Sequence, residues 1–125
     1  MATSFGVDVG LFAFGTTGSN VNTRNLVNNS GVVAADATGA GTVKSQGAAA
    51  VYGSTAGYGG DKAIFAYGYA LSPSGRTNLK NLVSNTGVVA ADAAGVGTAR
   101  AGLAAAAYGG DKAIFAYGDP GNSNL

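Results

Sequence analysis

Apolar and polar residues along this chain change over in short bursts rather than at helical spacing. Gly102 to Tyr108, Lys112 to Tyr117, Asn78 to Ser84 and Val88 to Ala91 are short runs bounded by Gly, Asn, Asp and Ser clusters. Runs of this kind read as antiparallel strands joined by hairpins. Leu71 to Gly75 reads as a loop between two of them. Ala104 to Ala107 is the one stretch that argues for helix. Gly102 and Gly109 confine it to about six residues, against the ~12 that an isolated helix needs, so strand is the better reading. In Lys62 to Tyr67, strict alternation puts Ala63, Phe65 and Tyr67 on one face and Ile64 and Ala66 on the other. A strand that is apolar on both faces implies sheets packed on sheets, and both this strand and Lys112 to Tyr117 are predicted to lie in the packed core.

The pattern is repetitive. Gly59 to Gly68 (GGDKAIFAYG) returns without change as Gly109 to Gly118, and Phe5 to Gly15 aligns without gaps on Tyr108 to Gly118, aromatic on aromatic and Asp8 on Asp111. Asn25 to Ala37 returns as Asn81 to Ala93. The copies differ by a small insertion at Tyr52 to Tyr58. A period of about 50 residues with insertions confined to Gly/Ser-rich turns marks solenoids, propellers and arrays. The expected organisation is one repeat domain over residues 1–125, with units at approximately 1–42 and 43–98, a half unit at 99–118 and a tail at 119–125. The first strand of the repeat, as in Gly102 to Tyr108, is nearly all Ala and Gly, which suits a crowded inner position, while later strands carry Asn, Ser and Thr.

Composition narrows the function. The chain has 22 Gly, 46% hydrophobic and only 10% charged residues, which argues against disorder. Net charge is +1, and Arg24, Lys44, Lys62, Arg76, Lys80, Arg100 and Lys112 are scattered, so no footprint for nucleic acid or an anionic membrane is expected. Neither a signal peptide nor a membrane-spanning segment is expected, because Gly and polar residues interrupt every apolar run. With no Cys, the redox compartment is left open.

Chemistry-bearing residues are few. The absence of His, Cys, Glu and Trp removes His-based triads, thiolate nucleophiles and the usual zinc sets, and no cofactor, metal or catalytic residue is expected. Asp61 and Asp111 occupy equivalent Gly-Gly-Asp turns and could pair as in a glycosidase, but turns favour Asp for their own reasons. Gly39 to Ser45 lacks the Gly before Lys44 that a phosphate loop needs, and Gly95 to Arg100 lacks the last Gly of a dinucleotide fingerprint. Both read better as turns between units. Tyr67 and Tyr117 are assigned to core packing, while Tyr52, Tyr58 and Tyr69 lie near loops and are the candidate ligand-binding residues, suited to a sugar ring. Arg24, Arg76 and Arg100 precede strands at recurrent positions and are expected to bond loop carbonyls between units.

The stretch Arg100 to Gly118 resembles the start of a kelch repeat, in which Arg precedes a small-residue strand, a Gly-Asp turn and an apolar strand ending in Gly. Tyr117-Gly118 stands where that family has Gly-Gly, and the Trp of its fourth strand is missing. The resemblance implies an all-β fold of antiparallel four-stranded, kelch-like β-propeller blades, a partial propeller of about two and a half units. The phrases LVSNTGVVAADAAGVGTAR and YGGDKAIFAYG are also similar to repeats in virion structural proteins of tailed bacteriophages. That implies a non-enzymatic structural component of a virus particle, located in the virion, which self-associates or docks on other virion proteins through exposed blade edges. A carbohydrate-binding, lectin-like adhesin with a glycan as partner is the alternative, and a glycosidase using Asp61 and Asp111 is a further rival.

Overall fold

The fold was read from a computed structural model that describes residues 2–5, 9–52, 62–72 and 74–121. The protein is all-β with antiparallel sheets. Strands β1 (Ala2–Phe5), β2 (Val9–Thr16), β3 (Asn20–Val27) and β4 (Ala37–Thr38) form one sheet in chain order. After β5 (Lys44–Ser45), the strands β6 (Ala48–Tyr52), β7 (Lys62–Ala66), β10 (Leu79–Val83) and β11 (Ala93–Ala94) form a second sheet of the same order. Between β7 and β10 the hairpin of β8 (Tyr69–Leu71) and β9 (Ser74–Arg76) departs to pair with β5. Strands β12 (Ala104–Tyr108) and β13 (Lys112–Ala116) form a two-stranded third sheet. The Ala-rich strand β6 packs between β1 and β12, where small side chains let three sheets approach.

Register repeats as closely as sequence. Phe12 pairs with Asn25 in the first sheet and Phe65 with Asn81 in the second; Leu11 pairs with Leu26 and Ile64 with Leu82. The turn after the third strand is also built twice. Asn28 Oδ1 accepts from the Ser30 and Val32 amides, and Ser84 Oγ accepts from the Thr86 and Val88 amides. The expected strand at Val88 to Ala91 reduces to a single bridge of Val89 with Val83, because this turn returns the chain for one residue before the true fourth strand begins at Ala93. Of the loop expected over Leu71 to Gly75, Leu71, Ser74 and Gly75 instead lie in the paired strands β8 and β9.

The sheets stack face to face. Leu11 and Ala13 of the first meet Ala63, Phe65, Val83 and Val89 of the second in one buried cluster. The opposite face of the second sheet, with Ile64, Lys80 and Leu82, lines a groove with Ala113 and Phe115 of the third. Alternation therefore gives the second sheet one face toward the preceding unit and one toward the following unit.

One departure from alternation sets each junction. Phe14, Tyr67 and Tyr117 all adopt left-handed backbone, with φ of 61, 61 and 63°. A bulky residue there costs of order 1–3 kcal/mol, so its occurrence at three equivalent places indicates a purpose. In β2 the pairing slips between Ala13 and Gly15 around Phe14, as in a bulge. The result reverses the ring. Tyr67 does not share Phe65's face, as simple alternation requires, but swings forward onto the next unit. Phe14 meets Phe65 edge-on at 5.4 Å, and Tyr67 meets Phe115 at 5.8 Å. The following Gly68 has φ +113°, and a Cβ there would sit 2.5 Å from Ser45 O, so any other residue would force the junction apart.

Candidate functional site

The buried polar groups of the described residues gather at the junction between the first two units. Its foundation is local and occurs twice. Asn22 Nδ2, in β3, donates to the carbonyls of Gly39 and Gly41, and Asn78 Nδ2, just before β10, donates to those of Gly95 and Gly97, so in both units an asparagine holds down the linker leading to the next. Three residues further on, Asn25 Nδ2 reaches Asp36 Oδ1 at 2.7 Å and Asn81 Nδ2 reaches Asp92 Oδ1 at 2.9 Å.

The first linker feeds its side chains into the second of these pairs. Thr42 donates its amide and hydroxyl to Asp92 Oδ2 at 2.9 and 2.5 Å. Lys44, with none of its surface exposed, donates to Asn81 Oδ1 at 2.5 Å and lies 4.8 Å from the centre of the Phe14 ring. Burial lowers the Lys44 pKa from 10.5 to about 8, and the Asp92 charge opposes the fall only in part. Burial by itself would raise the Asp92 pKa, but the hydrogen bonds from Thr42 and Asn81 and the charge of Lys44 outweigh it and hold the carboxyl below its ordinary value. One cation thus touches an aromatic ring of the unit before it and an amide of the unit after it.

At the second junction Arg100 stands where Lys44 stands at the first. Its guanidinium lies 4.9 Å from the centre of the Tyr67 ring, which repeats the Lys44–Phe14 contact. No described strand follows β13 to supply the equivalent of Asn81, and Arg100 Nε is buried without a hydrogen-bond partner among the described residues. The expected loop-carbonyl bond is thus not made by this nitrogen. Arg24 and Arg76 do behave as expected: Arg24 donates to Gly87 O at 2.7 Å, and Arg76 donates to Asp119 O at 2.8 Å and also pairs with the Asp119 carboxylate.

The candidate ligand residues are not brought together by the described structure. Tyr52 ends β6 and only its backbone is described, Tyr58 lies outside the described residues, and Tyr69 in β8 contacts Ser74 Oγ through its hydroxyl at 3.2 Å. Asp61 also lies outside the described residues, while Asp111 is exposed and paired with Lys112 at 2.6 Å, which holds its carboxyl below the ordinary value. Tyr117, assigned to core packing, is 83% exposed, and Tyr67 is half-buried with its hydroxyl on Val96 O at 2.9 Å. In the suggested phosphate loop, the Thr42 amide is already given to Asp92. Another groove, on the outer face of the first sheet, is lined by Phe12, Thr16, Thr17, Thr23, Asn25 and Asp36 among others.

Sequence reasoning passed over Thr42, Lys44, Asn81 and Asp92. The usable signal was present, since Asn and Asp recur at matching places in both units and a basic residue recurs two positions after Thr in both linkers. Among the described residues, no three His, Cys, Asp or Glu side chains gather to hold a metal, and no helix is long and apolar enough to cross a membrane. No protein-family model matches the chain, and no curated protein matches its sequence.

Proposed function

We propose that the chain is a non-enzymatic structural component of a virus particle, a phage virion or appendage protein, made of kelch-like blades that assemble through their outer surfaces. The observation that carries this reading is the use to which its polar residues are put. Lys44, the fully buried ionisable group among the described residues, has its ammonium closed between Phe14 and Asn81, where no substrate can reach it. The Asn, Asp and Arg side chains around it join one unit to the next. The blade reading is supported by two four-strand meanders in chain order and by the Ala-rich strand β6, which packs between β1 and β12. Placement in a virion rests on the likeness of its repeat phrases to those of tailed phages.

Mass spectrometry of gradient-purified particles of the virus that encodes the chain tests this. Recovery in fixed stoichiometry with the other particle proteins is the expected result, and its absence from the particles overturns the reading. A second reading, carbohydrate binding, is favoured by the groove that sets Phe12 beside Thr16, Thr17, Asn25 and Asp36, a flat ring among hydroxyl, amide and carboxylate groups. A glycan array separates the two: binding lost on Phe12→Ala with folding intact supports the adhesin.

A further inference from the structure

The two end faces of the stack are complementary halves of the junction that the chain already builds inside itself. At the first internal junction Leu11, Ala13 and Phe14 of one unit pack on Phe65, Val83 and Val89 of the next. At the second, Tyr67 of one unit packs on Phe115 of the next. The forward face of the third unit carries the next set in the series, with Ile114, Ala116 and Tyr117 at the positions of Leu11, Ala13 and Phe14. This set is open. Ile114 is 51% and Tyr117 83% exposed, and both line a shallow groove with Ala104, Ala105, Ala106 and Ala116. The rear face of the first unit carries the receiving set, with Phe12, Val27 and Val33 at the positions of Phe65, Val83 and Val89. It is open as well, with Phe12 51% and Val33 58% exposed.

Tyr117 also holds the same left-handed backbone, φ 63°, that throws Phe14 and Tyr67 forward. Its ring is therefore already set for a receiving phenylalanine, although no described residue occupies that place. We infer that a second copy of this chain docks head to tail, the Tyr117 ring of one copy against Phe12 of the next, and so reproduces the Phe14–Phe65 and Tyr67–Phe115 contacts between molecules. The interface is heterologous, because each copy offers a forward face at one end and a rear face at the other. Two exposed apolar faces at opposite ends of one stack are otherwise a liability in water. This inference rests on the proposal that the chain assembles, and it names the surfaces used.

The test is sedimentation of the purified full chain at micromolar concentration, with Phe12→Asp and Ile114→Asp as single variants. Both side chains are half exposed, so folding is expected to survive, as circular dichroism will check. Each variant alone should weaken association by about tenfold or more, the scale of losing an aromatic or aliphatic anchor. Mixed together, they should form a one-to-one complex that grows no further, because each variant retains the face the other lacks. Since the chain has no native Cys, Phe12→Cys mixed with Tyr117→Cys should give one disulfide-linked dimer. Assembly unaffected by either aspartate, or no complex in the mixture, overturns the head-to-tail contact and leaves the assembly proposal standing. A monomeric parent chain overturns both, as does a glycan held on the Phe12 face by a chain that does not associate.

Discussion

Strands β7 and β13 have the same sequence, Lys-Ala-Ile-Phe-Ala, within the same decapeptide, and different surroundings. In β7, Ala63 and Phe65 are fully buried and β10 pairs along the outer edge. In β13, Phe115 is only half-buried, Ile114 is 51% exposed and no described strand pairs with the outer edge. The expectation that both copies lie in the core therefore holds for one and fails for the other. Local sequence sets the strand pairing, its register and the left-handed aromatic, all of which are alike in both copies. Burial is set by what stacks on each face, which a strand's own residues do not encode.

The sharpest way to break this comparison is to truncate the same ring in both copies. Phe65→Ala should cost about 3–5 kcal/mol of unfolding free energy, and Phe115→Ala about 1–2 kcal/mol because less surface leaves water at that site. Equal losses in chemical denaturation would show that the two copies are equally buried after all.

The next largest effect should come from the two Asn–Asp pairs. Asn81→Ala strips the buried Lys44 ammonium of its hydrogen-bond acceptor and should cost about 3 kcal/mol, whereas Asn25→Ala, at a pair that receives no described cation, should cost about 1 kcal/mol or less. A reversed order would show that the junction does not depend on Lys44.

A further effect is one of pH, and it belongs to the first junction. The unfolded chain holds the Lys44 proton up to about 10.5, while the folded chain releases it near 8. Between those values the unfolded state binds more protons, so the Lys44 contribution to stability rises with pH. Lys44→Met should remove that rise, and a parent and variant with parallel pH profiles would refute it.

Much of the fold was legible because hairpins are local. The Gly-Asn-Asp-Ser punctuation marked most of the strands, and two glycines were enough to exclude a helix at Ala104 to Ala107. The direction of Tyr67 was not legible, because alternation assumes extended backbone and a bulky residue at positive φ breaks it. The β8–β9 hairpin was hidden because its partner, β5, is only two residues long and lies in a linker. The Lys44 cluster was missed because its parts come from Phe14, Thr42, Asn81 and Asp92, residues far apart in sequence and ordinary one by one. The tyrosines drew attention by residue type, and the described structure gives them no common location.

The doubled junction also bears on how such a chain can change length. In a conventional core, an inserted segment must be fitted against neighbours that never anticipated it. Here a further unit would arrive with a forward ring, a receiving ring, an Asn–Asp pair and a basic linker residue already matched to whatever stands on either side. Duplication or loss of a unit would leave every remaining contact of a kind the protein already makes. Unit number is then nearly neutral for folding.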